Sequence, residues 1–417
     1  MYYGYDINEK IIALADETEK EIAPIFADLD ELCLKNSAKV LKAFHDEKVS
    51  YTDFAEVNGY GFYDAGRDKI EAIFAKVFKA EDSLVRPQIM SGTHALALTF
   101  SGLLKYGETM LSISGTPYDS LQTIIGIAGE SRNSLIANGV KYEEIDLVNN
   151  DFDLPKIVER LKKGNVKLVE IQRSRGYAHR KSLTIDKIEK VCKAIREVNK
   201  DCIIMVDNCY GDFVEEKEPT EVGADLIVGS LMKNLGGGVV RSGGYIVGKK
   251  DLIFDVAERF SAPGTGKELG ANFNENMSYF QGIYLAPRAV CSSLKTMIFA
   301  SRIMQKLGFA VDPLYNEKRT DIVQAIDLFT PEAMVKFHIG IQKGSPIDSF
   351  VTPVAAPMPG YPHDEVMAAG TFVQGSTIEL SCDGPMVEPY TAYMQGSLTY
   401  EYGKLGIMIG LQEMLYN

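Results

Sequence analysis

The sequence predicts a mostly parallel α/β sheet domain followed by a smaller α+β domain. Two observations point to the sheet, and a third to where its ligand would lie. Between residues 84 and 249, short apolar runs alternate with amphipathic segments, the rhythm of a parallel sheet covered by helices on both faces. Beyond residue 308 that rhythm stops, and strand-like runs no longer alternate with helices. Three of the early runs end in groups suited to a ligand: Ser91-Gly92-Thr93, Asp207 and Lys233. In open α/β sheets, ligands bind beyond the carboxyl ends of the strands.

Composition narrows the function classes. The 417 residues suffice for about two or three domain-sized units, and 46% are hydrophobic, enough for a full core. The net charge of −13 argues against a nucleic-acid groove or an anionic membrane surface as partner. The five histidines lack metal-ligand spacing, so no metal is expected. The six cysteines (33, 192, 202, 209, 291 and 382) include no CxxC pair. They read as buried free thiols in a reducing compartment, and the expected location is cytoplasmic. The start of the chain has neither a basic n-region nor an apolar h-region, and no apolar run approaches the length of a membrane span.

Taken in order, residues 7 to 48 have helical periodicity that Pro24 should interrupt, giving two helices. A glycine and tyrosine loop over 58–67 precedes a helix at 68–78. Strands are expected at 85–89, 109–114, 141–145, 168–171, 203–206, 226–228 and 245–247. Helices at 94–104, 120–127, 154–161 and 185–198 fill most of the gaps. Residues 255–282 read as a glycine-rich loop with short helices, and a long helix over 287–307 leads away from the sheet. The last part should hold a strand at 322–328, a helix opened by Thr330-Pro331, and strands at 371–373 and 377–381. The expected division is a helical segment over 1–57, a large ligand-binding domain over 58–305 and a small domain over 306–417.

The strand ends read as chemistry. Ser91-Gly92-Thr93 before a helix makes a phosphate cradle, because free N–H groups and the positive end of the helix dipole face an anion. Asp207, ending a buried strand, could hold a proton on a heterocyclic nitrogen. Lys233, just past another buried strand, should lose charge through desolvation, leaving a neutral amine to attack a carbonyl. Taken singly, each also reads as an N-cap serine, a turn aspartate or a surface lysine. Taken in order, they are what pyridoxal phosphate needs: one group for the phosphate, one for the ring nitrogen and one for the Schiff base. No G-x-G-x-x-G follows an early strand, and Lys233 precedes its glycines, so dinucleotide and P-loop sites fit less well.

With these segments in hand, the chain resembles fold-type I pyridoxal-phosphate enzymes of the Cys/Met metabolism group. It is similar in particular to the methionine γ-lyase-like family often labelled "aluminium resistance protein". The matching blocks are Gly59-Tyr-Gly-Phe-Tyr-Asp-Ala-Gly-Arg67, Ser91-Gly-Thr-His94, Ile171-Gln-Arg-Ser-Arg-Gly-Tyr177, Val206-Asp-Asn-Cys-Tyr-Gly211, the run from Glu218 to Gly238, Ile341-Gln-Lys-Gly-Ser-Pro346 and Thr399-Tyr-Glu401. The resemblance implies that Lys233 forms the Schiff base and Asp207 pairs with the pyridinium. It implies that the Ser91 turn, through the Gly92 and Thr93 amides, binds the phosphate together with the Ser230 hydroxyl. Tyr118 would stack on the cofactor ring and relay a proton. Tyr60, Tyr63 and Arg67 would reach the phosphate of a neighbouring subunit, making a homodimer or homotetramer with shared active sites.

The sequence also departs from the pattern. Where γ-lyases carry an arginine for the substrate carboxylate, this chain has Glu379, and Val387 stands where members of the aluminium-resistance group carry one. Met232 replaces a phosphate-binding threonine. Arg173 and Arg175, after the strand at 168–171, are the replacement candidates for the carboxylate. Arg241 sits at an aminotransferase-like spacing from Lys233 and is a candidate for the phosphate. The expected activity is a carbon–sulfur lyase acting on an amino acid by β- or γ-elimination. Transamination, γ-replacement and cofactor binding without turnover stay open as alternatives.

Overall fold

The computed structural model describes residues 2–60, 64–358 and 363–417. The chain divides into two compact units, Ser37–Tyr284 and Met1–Asn36 with Leu285–Asn417.

In the unit Ser37–Tyr284 the seven strands are β1 (Asp82–Arg86), β2 (Thr109–Ser112), β3 (Lys141–Glu144), β4 (Val166–Gln172), β5 (Ile203–Asp207), β6 (Leu226–Ser230) and β7 (Gly244–Gly248). They lie in the order β1-β7-β6-β5-β4-β2-β3. Strands β3, β2, β4, β5 and β6 run parallel, and β7 is antiparallel to both its neighbours. Every residue of β5, β6 and β7 is buried, which is why their sequences read as unbroken apolar runs rather than alternating ones. The helices α3 (Gly92–Leu103) and α7 (Lys250–Phe260) supply Leu96, Phe100, Ile253 and Val256 to a core shared with Met205, Leu226, Val228 and Ile246 of the sheet. The parallel register sets Asp207 opposite both Gln172 of β4 and Val228 of β6. The ends of three adjacent strands are thereby brought together.

The other unit is built on a six-stranded antiparallel sheet. Its strands are β8 (Ala310–Asp312), β9 (Val323–Asp327), β10 (Ala356–Pro357), β11 (Asp364–Ala368), β12 (Ser381–Pro385) and β13 (Thr391–Gln395), in the order β10-β11-β12-β13-β9-β8. Helix α9 (Pro331–Lys343) opens as expected at Thr330, whose hydroxyl accepts from Ala333 N at 3.1 Å. Phe337 and Ile341 of α9 join Ile407 and Leu411 of α10 (Tyr400–Tyr416) in the core of this unit, with Ile326, Val366 and Met394 of the sheet.

Several local expectations need correction. Pro24 does not divide the first helical stretch, because one helix, α1 (Glu9–Asp46), runs through it. An interior proline costs about 3 kcal/mol. Burial of Ile11, Ala15 and Ile22 in one unit, and of Val40 and Ala43 in the other, more than offsets this. Similarly, α8 (Asn276–Lys306) begins before Pro287 and includes it, and the stretch expected as loop with short helices opens inside α7 and closes inside α8, both longer than expected. The pairing strands of the last domain are β11, β12 and β13, not 371–373 and 377–381. The reason is Glu379: its buried carboxylate accepts from Phe372 N at 2.9 Å and Val373 N at 3.1 Å, folding the chain back on itself. Among the described residues, no helix is long and apolar enough to cross a membrane.

Candidate active site

The turn after β1 and the ends of β4, β5 and β6 converge. The Ser91 hydroxyl accepts from His94 N at 3.1 Å and caps α3. The first main-chain bond of that turn is from Ala95 N to Ser91 O at 3.0 Å. The Gly92 and Thr93 amides precede it, so they belong to the donors that a helix leaves unsatisfied at its start. A Cβ added to Gly92 would come within 3.2 Å of Ser230 Cβ and 3.3 Å of Cys209 Sγ. The absence of a side chain at Gly92 lets the start of α3 close on Ser230 and Cys209 without displacing them. Ser230 is buried and its hydroxyl accepts from Met232 N at 3.1 Å, which leaves its own hydrogen to be donated.

Asp207 is buried, and its Oδ1 accepts from Cys209 N at 3.1 Å. The Lys233 Nζ lies 3.9 Å from the centre of the Tyr210 ring. Tyr210 itself adopts a φ of +68°, a left-handed conformation that a bulky residue rarely takes. Tyr118 is fixed at its amide by Gln172 Oε1 at 3.0 Å, and its hydroxyl stands 3.4 Å from Thr93 Oγ1.

Charge in this cluster differs from the expectation for Lys233. Burial works against its ammonium, but the ionised forms of Cys209, Tyr210, Asp207 and Tyr118 outweigh burial, and the lysine pKa is raised. Burial also pushes up the Cys209 thiol and the Tyr118 hydroxyl. Asp207 is the carboxyl among these neighbours. Burial pushes its carboxyl up as well, and Lys233 and the Cys209 amide pull it down. The direction for Lys233 is therefore upward, opposite to that expected from desolvation alone.

The structure thus gathers Gly92, Thr93, Tyr118, Asp207, Ser230 and Lys233, with Ser91 serving as the cap of α3. The arginines expected at the ligand end are placed differently. Arg173 has no exposed surface; its guanidinium donates to Asn208 Oδ1 at 2.8 Å and Gly211 O at 3.0 Å, and lies against Glu215 and Glu218. Arg175 is buried and donates to Ala178 O at 3.1 Å. Arg241 is exposed and paired with Glu275 at 2.5 Å. Arg67 is buried in α2 (Ala65–Val77) beside Asp68 and the Glu268 carbonyl, while Tyr60 is exposed. Tyr63 lies outside the described residues. Cys209, Tyr210 and Gln172 were missed as site residues, although each stands within two or three residues of a recognised strand end.

A seven-stranded sheet with a lysine after β6, an aspartate ending β5 and a helix N-terminus after β1 is the fold-type I architecture of pyridoxal-phosphate-dependent enzymes. The pyridoxal-5′-phosphate-dependent protein YhfS from Escherichia coli shares this fold at 15% identity, with a TM-score of 0.62 over 91% of this chain and 95% of that one. Residues 11–415 match the family described as methionine gamma-lyase, and the chain belongs to that family. The protein YnbB of Bacillus subtilis, itself uncharacterized, is 44% identical over 405 residues, covering 96% of each chain. A crystal structure from Clostridium acetobutylicum, described as a candidate cystathionine beta-lyase involved in aluminum resistance, is 45% identical. It has a TM-score of 0.95 over 98% of this chain and 96% of that one.

Proposed function

We propose that this protein is a pyridoxal-phosphate-dependent carbon–sulfur lyase that releases a thiol from an amino acid by β- or γ-elimination. The observation that supports it most is the closure of Gly92 onto Ser230 and Cys209, beside Asp207 and Lys233. Two main-chain amides and a hydroxyl there suit a phosphate, a buried carboxylate suits a ring nitrogen, and an amine suits a carbonyl. The family match and the description of the Clostridium acetobutylicum structure support this reading.

When bound, pyridoxal phosphate supplies the electron sink that makes the Cα proton of an amino acid removable. The Gly92 and Thr93 amides and the Ser230 hydroxyl would hold the phosphate. Asp207 would hold the proton on the ring nitrogen. Lys233 would anchor the cofactor through Nζ, and the same Nζ would take the Cα proton and return it to the sulfur of the leaving thiolate. Tyr118 would cover the ring and keep water from it. Tyr60, being exposed, is available to a second copy of the chain in a homo-oligomer, whereas Arg67 is held by its own chain. The six cysteines are free thiols, in keeping with a cytoplasmic setting.

Gly92→Ala tests the cradle. Alanine is a better helix former than glycine by about 1 kcal/mol, so the fold should hold. The new methyl would crowd Ser230 and Cys209 and lower pyridoxal-phosphate affinity about tenfold, an overpacking cost of about 1.4 kcal/mol. Titration of cofactor-free protein checks this, and unchanged affinity would remove Gly92 from the cradle. For the reaction, sulfur-containing amino acids should yield thiol, 2-oxo acid and ammonia in equal amounts without an added oxo acid. Product formation that depends on an oxo-acid acceptor and gives no ammonia would make the protein a transaminase instead.

A further inference from the structure

Asp207 ends β5 and Lys233 follows β6, yet their neighbours in the sequence meet at one buried residue, Asp212, one at its side chain and the other at its main-chain carbonyl. The residue after Asp207, Asn208, donates from Nδ2 to Asp212 Oδ1 at 2.7 Å. The residue after Lys233, Asn234, donates from Nδ2 to the Asp212 carbonyl at 2.9 Å. The Tyr245 hydroxyl of β7 donates to the same Asp212 Oδ1. Tyr245 also fixes the strand that bears Ser230: a Cβ on Gly229 would come within 2.3 Å of its hydroxyl oxygen. Tyr245 is itself wedged by Phe74 and Phe78, whose rings lie near 6.1 Å from its own. Asp212, Asn208 and Asn234 have no exposed surface.

We propose that Asp212 is a positioning residue that sets Asp207, Lys233 and Ser230 in a common register. This rests on the reading of the site as a pyridoxal-phosphate site. The Asp212 side chain touches none of the three groups; its carboxyl acts through Asn208 on the Asp207 turn and through Tyr245 on the strand that bears Ser230, while its main-chain carbonyl holds Asn234 beside Lys233. Its carboxyl is shut off from water together with Glu218, and both burial and Glu218 favour the neutral acid. Asparagine is therefore the near match, because it keeps the Oδ1 acceptor for Asn208 and Tyr245. Arg173 completes the arrangement by donating to the opposite side of Asn208, at Oδ1. This gives the arginine a structural role in place of the substrate contact expected from the sequence.

The test compares wild type with Asp212→Ala, Asp212→Asn and Tyr245→Phe, each loaded with pyridoxal phosphate. Three quantities are measured: pyridoxal-phosphate affinity, the yield of borohydride-fixed cofactor on Lys233, and kcat and KM per fixed cofactor. In Asp212→Ala the Gly92 and Thr93 amides and the main-chain bond to Asn234 are untouched, while Ser230 can shift through Tyr245, so affinity should fall by no more than about tenfold. A displacement of reacting groups by about 1 Å costs on the order of a hundredfold, so kcat per fixed cofactor should fall by about that factor with KM little changed. Asp212→Asn should recover to within about tenfold of wild type. Tyr245→Phe, which removes one hydroxyl, should lower kcat about tenfold and keeps the test open if Asp212→Ala does not fold. Unchanged kcat per fixed cofactor in Tyr245→Phe and the Asp212 variants, even with a lower melting temperature, would overturn the proposal. An Asp212→Asn variant as impaired as the alanine would overturn it as well. If wild type itself fixes no cofactor on Lys233, the cofactor reading has failed, and that result is distinct from either pattern among the variants.

Discussion

Replacing Lys233 with alanine is expected to reduce thiol release from the preferred substrate by at least about a thousandfold. Two contributions are lost together. The amine no longer anchors the cofactor, and no base remains at the Cα proton; positioned proton transfer alone is worth about 10² to 10⁴ in rate. A thousandfold loss corresponds to about 4 kcal/mol of transition-state stabilisation. The cradle of Gly92, Thr93 and Ser230 remains, so the variant should still bind pyridoxal phosphate, but reversibly and without a borohydride-stable product. The raised pKa of Lys233 bears on loading. Because a raised pKa favours the ammonium, and only the free amine attacks a carbonyl, cofactor uptake by wild type should quicken as pH rises from neutral. A Lys233→Ala protein with wild-type thiol and ammonia release would remove the lysine from the mechanism.

Asp207→Asn should have the next largest effect, a loss of roughly a hundredfold or more in kcat, the size seen when one fixed electrostatic stabiliser is removed. Asparagine keeps an oxygen for the Cys209 amide and so preserves the turn, but it cannot hold a proton on a ring nitrogen as an anion. Unlike Lys233→Ala, this variant should still fix cofactor on Lys233 with borohydride. The pair of variants therefore separates anchoring from electron withdrawal. Full activity in Asp207→Asn would mean that the carboxylate does not face the ring nitrogen.

The sheet was legible because its central strands are buried on both faces, and continuous apolar runs between amphipathic helices suit a helix-covered parallel sheet and little else. The strand ends were legible for the same reason: Asp207 and Lys233 stand out as charges at the edge of apolar runs. What local patterning could not convey was where long side chains turn. Arg173 follows β4 in the sequence as a ligand-end cation would, yet Asn208, Gly211, Glu215 and Glu218 draw it into the interior. Glu379 looked like a charge opposed to a substrate carboxylate, and it closes a turn of its own chain instead. Pro24 and Pro287 read as helix boundaries, but burial of the helix faces around them decides otherwise. The lysine pKa was misjudged because desolvation was weighed alone, while the neighbouring aspartate becomes visible only once β5 and β6 are set side by side.

The most direct measurement is borohydride reduction of the protein loaded with pyridoxal phosphate, followed by peptide mapping. A yellow protein whose reduced cofactor maps to the peptide containing Lys233 is the expected result. A label on any other lysine, or a protein that cannot be loaded and gives no label, would contradict the assignment of this site.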